Sequence, residues 1–121
     1  MANNYVNDGS VVDYTNAGAA LSSGDPVVIG NQMGVALVDI ANGATGSVAL
    51  KGVFNLPKAD AAVIAQGESV IWDSSAGEFD DNAATPAAGD VSGCCVAMEG
   101  KGATTGETIA VKLNVGVGTV A

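Results

Sequence analysis

Short apolar runs broken by glycine-bearing turns recur from one end of the chain to the other. Residues 11–15 (Val-Val-Asp-Tyr-Thr) read as a first short strand. The turn Ser22-Ser23-Gly24-Asp25 leads into Pro26, which suits the first position of a strand because its missing N–H does little harm there. The apolar run Val27, Val28, Ile29 follows. Asn31 and Gln32 link it to a second run over 34–39, and this close coupling predicts a hairpin. After a turn over 41–46 comes the clearest alternation. Val48, Leu50, Phe54 and Leu56 lie on one face with Gly52 in step, and Ser47, Ala49, Lys51, Val53 and Asn55 lie on the other. Period two over 47–56 predicts one half-buried strand.

Residues 60–66 (Asp-Ala-Ala-Val-Ile-Ala-Gln) are the single helix candidate, about two turns long, with Asp60 as N-cap and Gly67 past the end. Residues 69–73 predict a strand with Val70 and Trp72 on one face, and Trp72 in that phase reads as core. A turn over 74–77 leads to a short return strand around Phe79, followed by a polar, alanine-rich loop over 82–89. Residues 94–99 predict a strand with Cys94, Val96 and Met98 in phase toward the core. After a loop over 100–106, residues 108–115 predict the last strand, with Ile109, Val111, Leu113 and Val115 inward.

One local pattern recurs. Gly24-Asp25, Gly67-Glu68, Gly89-Asp90 and Gly106-Glu107 each place glycine and then an acid just before a strand. Glycine reaches the positive-φ turn conformations, and an acid bonds nearby backbone N–H groups. The irregular spacing rules out a repeat array of fixed period. The sum is an all-β chain: a small single-domain β-barrel or sandwich of about eight short strands with one short helix. No interior linker divides it. Residues 1–8 form an N-terminal arm or edge strand, 9–115 the β-rich domain, and 116–121 a C-terminal tail.

Composition narrows the function. With 121 residues, one domain fits and two do not. Hydrophobic residues are 48 %, but 21 of them are alanine, so the core is thin and association with a partner would add stability. Thirteen acids face four lysines, with no arginine and no histidine, for a net charge of -9. Nucleic-acid binders need clustered cations to neutralise phosphates, so no nucleic-acid partner is expected. The same charge opposes an anionic membrane. No run approaches the length needed to span a bilayer. The polar first ten residues lack the pattern of a signal peptide, so a product made in the cytoplasm with reduced thiols is expected.

Sites for chemistry are scarce. Gly100-Lys101 is followed by Gly102 instead of Ser or Thr, and Cys95 stands where a phosphate loop needs its first glycine. Gly116-Val117-Gly118 has no following helix and makes no dinucleotide site. Cys94 and Cys95 alternate across a strand, so a buried Cys94 and an outward Cys95 are expected, with too few sulfur or imidazole ligands for a soft metal. Asp80-Asp81 lacks the calcium-loop pattern and reads as a solvated turn. Ser, Cys and Lys nucleophiles have no histidine to activate them. The inventory predicts neither an enzyme nor a cofactor.

Several segments, in order, carry a resemblance. They are Ser23-Gly24-Asp25-Pro26-Val27, Gly34-Val35-Ala36, Lys51-Gly52-Val53-Phe54-Asn55-Leu56-Pro57-Lys58, Ala65-Gln66-Gly67-Glu68-Ser69-Val70-Ile71-Trp72-Asp73, and Ile109-Ala110-Val111-Lys112-Leu113-Asn114. From about residue 4 to residue 114 the chain resembles the capsid cement, or head decoration, proteins of tailed bacteriophages. Cys94-Cys95 and the glycine-rich tail depart from that pattern. Some relatives carry a recombinase label, against which stand the missing phosphate loop and basic surface.

The resemblance implies a β-rich late protein of the virion. It would bind the major capsid protein on the outer surface of the assembled head and stabilise the head against internal DNA pressure. It also implies self-association, as a homotrimer or a dimer. Asn3, Asn4, Tyr5 and Val6 are the candidate capsid or subunit contact, as a segment that orders on docking or pairs with a neighbouring strand edge. An ordinary first strand is the other reading of this segment. The alternative functions are a small phage-encoded DNA-recombination accessory and a ligand-binding β module.

Overall fold

Ten strands form in the computed structural model, which describes residues 3, 4 and 6–121. They are β1 (Val11–Thr15), β2 (Pro26–Ile29), β3 (Gln32–Ala36), β4 (Thr45–Ala49), β5 (Val53–Pro57), β6 (Ser69–Asp73), β7 (Glu78–Asp80), β8 (Val91–Ala97), β9 (Thr108–Lys112) and β10 (Thr119–Val120). Four of them start at the glycine–acid pairs. Gly24, Gly67, Gly89 and Gly106 all sit at positive φ (94°, 87°, 90° and 75°), which a β-carbon would disfavour. In three of these turns the acid bonds the same residue twice. The N–H groups of Asp25, Glu68 and Asp90 donate to the carbonyls of Ser22, Ala65 and Ala87 at 3.0, 3.1 and 3.0 Å. Their carboxylates accept the N–H groups of those three residues at 2.9, 3.1 and 2.9 Å. Each turn is closed by backbone and side chain together, so the direction of the next strand is set locally.

The strands make two antiparallel sheets. The smaller has the order β1-β4-β3-β2, and the larger has the order β5-β9-β8-β6-β7 with β10 also paired to β8. The β2–β3 hairpin matches the pattern reading, with Val28 opposite Met33 and Ile29 opposite Gln32. β8 is the hub of the larger sheet: β6 lies on one side, and β9 and then β10 share the other. An isolated parallel bridge between Lys58 and Phe79 touches β7 to the residue after β5. That bridge apart, the ladders of both sheets are open, so of the barrel or sandwich expected from the sequence the strands take two sheets and not the closed barrel.

β3 joins the two sheets. Met33 and Val35 point into the main core with Leu56, Val70, Trp72, Phe79, Val91, Ile109, Val111 and Leu113. Ala36, one step out of phase, lies in a second core with Val27, Ile40 and Val48, against which Val12, Tyr14, Leu21 and Ile29 pack. Trp72 is core, as its phase predicts, with its ring 5.0 Å from that of Phe79 in an edge-on contact.

The helix expected over 60–66 is absent, and no helix occurs among the described residues. Two turns form too few hydrogen bonds to repay helix nucleation. Here Ala62 and Ile64 are buried while Val63 between them is 63 % exposed, the two-residue rhythm of extended chain. Ile64 bridges Lys101, and the carbonyls of Ala59 and Ala62 accept hydrogen bonds from Lys58 Nζ at 2.7 and 2.8 Å. The single strand expected over 47–56 is also corrected. The chain leaves the smaller sheet after Ala49, turns at Gly52 (φ 121°), and enters the larger sheet at Val53. Period two continues through the turn by coincidence of residue type.

Candidate docking surface

No cavity opens in the surface of the described residues, and no cluster of three or more His, Cys, Asp or Glu among them is placed to hold a metal. The buried polar side chains are all satisfied. Asn16 donates to the carbonyls of Ala19 and Ile40 and accepts the Gly18 N–H. Asp90 accepts from the Ser74 N–H and hydroxyl as well as from Ala87. Lys58, 2 % exposed, spends its ammonium on the two carbonyls named above. These groups hold loops in place and face no solvent-accessible site.

Cys94 and Cys95 are both fully buried, with their sulfurs 3.1 Å apart. The expected split between an inward Cys94 and an outward Cys95 is therefore wrong. The register of β8 on β6 shifts between Val70 and Trp72, and Gly93 sits at φ 81°. That irregularity turns consecutive side chains to one side. Past it, Cys95 and Ala97 face the core, Val96 is half-buried and Met98 is 40 % exposed. The shared hydrogen bond with Cys95, and burial, push the Cys94 thiol well above its ordinary range. The same bond, with a smaller contribution from the Asn114 backbone, holds the Cys95 thiol below its ordinary range against the effect of burial, and both sulfurs are packed into the core. Val115, expected inward, is 48 % exposed because Asn114 at φ 53° ends the alternation.

Asn114 is a residue the sequence reading did not single out. Its Nδ2 donates to the carbonyls of Met33 and Leu50, both at 2.7 Å, and its Oδ1 accepts the Met33 N–H at 3.0 Å. One side chain thereby ties the segment after β9 to β3 and to the turn before β5. A positive-φ asparagine at the end of an alternating run is the only signal that could have marked it, and φ is not written in a sequence.

What remains for function is surface. Asn3 and Asn4 are exposed, Val6 is 87 % exposed, and Tyr5 lies outside the described residues. These residues precede β1, an edge strand whose only ladder partner among the described residues is β4. The segment between them is organised by short-range bonds. Asn7 Oδ1 accepts the Gly9 N–H at 2.7 Å, and Asp8 accepts the Ser10 hydroxyl at 2.7 Å. The Ser10 hydroxyl and N–H, with a smaller contribution from Lys51, hold the Asp8 carboxyl below the usual carboxylate range.

The outer face of the larger sheet is a second exposed surface, and one the pattern reading missed. Lys112 pairs with Val53 on β5 and with Val96 on β8, and Val96 pairs with Ser69 on β6. Cross-strand partners share a face, so Val53, Lys112, Val96 and Ser69 form one row across four strands. Asn55 and Ala110 pair in the next row, and the Met98 N–H donates to the Ala110 carbonyl at 2.8 Å. Exposed Val53 lies beside the exposed lysine in its row, and exposed Met98 lies in the next row.

The family model for phage cement protein matches residues 6–113, and the chain belongs to that family, which is structural rather than enzymatic. No curated protein and no solved structure matches the chain.

Proposed function

From membership of the phage cement protein family, we propose that this chain binds the outer surface of the assembled head through the major capsid protein. There it stabilises the head against the pressure of packaged DNA. The match over 6–113 carries the reading. Among the described residues, a surface without a cleft and a core whose polar groups are satisfied internally are in keeping with it. Such a body works by adhesion. Linked weak contacts to several capsid subunits multiply through effective concentration. Binding only the assembled, expanded lattice stabilises that state by mass action. A net charge of -9 keeps the free protein soluble in the host cytoplasm before docking.

In this reading the protein acts as a homotrimer, and Asn3, Asn4, Tyr5 and Val6 contact the capsid or a neighbouring subunit. They precede β1, an edge strand paired on one side only among the described residues, which is where strand addition is possible. The test is addition of purified protein to heads that lack it. Bound protein should pellet with the heads and raise the temperature at which they release DNA. Heads equally robust with and without it, or virions that do not contain it, overturn the proposal.

A further inference from the structure

We propose that the outer face of the larger sheet, centred on Lys112, docks against the acidic β6–β7 hairpin of a second copy of this chain in a head-to-tail contact. This rests on the self-association in the proposed function and assigns the surfaces that make it. The argument starts from what each lysine does. Lys58 is buried on two carbonyls. Lys101 pairs with Glu107 at 3.9 Å, the single ion pair among the described residues. Lys51 lies close enough to Asp8 to favour its ionised form. Lys112 is exposed between Val53 and Val96, with no carboxylate within salt-bridge distance. A cation set in an apolar row is poorly placed for water alone and well placed for an anion arriving with an apolar rim.

The complementary surface is on the same chain. Asp73 on β6 stands directly opposite Glu78 on β7, and Asp80 follows two residues on, on the same face as Glu78 because Phe79 between them points into the core. Asp73 stays ionised, because the Ser75 hydroxyl and the Ala76 N–H hold its carboxyl below the usual range. Among the described residues no lysine reaches this pair. The chain thus carries a group of acids that no lysine among the described residues reaches at the β6–β7 hairpin, and an unpaired cation on another face. One copy supplies what the next lacks. The surfaces differ, so the contact is heterologous and closes into a ring when the rotation between copies allows.

The test is sedimentation of the free protein at low salt, comparing wild type with Lys112→Glu, Glu78→Lys and the charge-swapped double variant. Each single variant should weaken association about tenfold or more, and the double variant should recover most of it. Lys112→Met, with the charge removed and the apolar row kept, should weaken it less than Lys112→Glu. Trp72 fluorescence reports that each variant is folded. Association unchanged in Lys112→Glu, or a double variant no better than the singles, overturns this interface and leaves self-association standing. A wild type that stays monomeric at all concentrations overturns both, and head binding is then read separately by co-sedimentation with heads.

Discussion

Replacing Asn114 tests whether one side chain fastens the two sheets. Asn114→Ala removes three hydrogen bonds, two donated to the Met33 and Leu50 carbonyls and one accepted from the Met33 N–H. At about 1 kcal/mol each, their loss costs about 3 kcal/mol. The position also has φ 53°, which alanine adopts at a cost of about 1 kcal/mol and glycine at almost none. The expected losses are about 4 kcal/mol for Asn114→Ala and about 3 kcal/mol for Asn114→Gly. Urea unfolding followed by fluorescence of Trp72, the sole tryptophan, measures both at one protein concentration. With a slope of about 1.5 kcal/mol/M, the alanine midpoint should fall by more than about 2 M and the glycine midpoint by about 2 M. An alanine variant within about 0.3 M of wild type, well inside the shift expected from that slope, would refute the fastening role. Alanine no worse than glycine would refute the backbone part of the argument.

Cys94→Ser and Cys95→Ser should each destabilise by about 1–3 kcal/mol, since both place a hydroxyl in the core; a harmless Cys95→Ser in the same urea titration would restore the outward reading. Gly118→Ala should cost about 2–3 kcal/mol, because its β-carbon would lie 2.6 Å from the Asn31 carbonyl oxygen, which is backbone and cannot swing away; an unchanged midpoint would contradict the close approach. The Asp73 carboxyl is depressed in the folded state, so its contribution to stability is present above the ordinary carboxylate range and is lost as pH falls through the folded value. Ser75→Ala should move the Asp73 titration, followed by NMR, back up toward the ordinary range, and an unmoved titration would show that the hydroxyl is not its main cause. Deleting residues 1–8 should weaken attachment to heads while leaving the urea midpoint nearly unchanged, and normal decoration by the truncated protein would remove the arm from the proposal.

The parts of the fold that were legible in the sequence are those in which the chemistry is local. The glycine–acid turns, the β2–β3 hairpin and the core phase of Trp72 depend on neighbours a few residues away, and all three formed as read. The failures involve partners that the local pattern does not specify. The break at Gly52 is decided by which sheet each half of the alternation joins, with the Leu113 N–H donating to the Gly52 carbonyl at 3.0 Å. Residues 60–66 lost their helix to Lys58 and Lys101, side chain and backbone from either flank. The cysteine phase failed because a bulge shifts every side chain beyond it, and bulges are set by the partner strand. The Lys112 face was hidden for a related reason: its row exists only once β5, β9, β8 and β6 lie side by side.

β3 gives Met33 and Val35 to one core and Ala36 to the other. A strand that is wall to two rooms leaves the body no seam along which to split. Load applied to either sheet reaches the other through side chains of this one strand, and melting either core uncovers residues of the other. A body built this way is expected to unfold as one unit, with the fluorescence of Trp72 in one core reporting the loss of both.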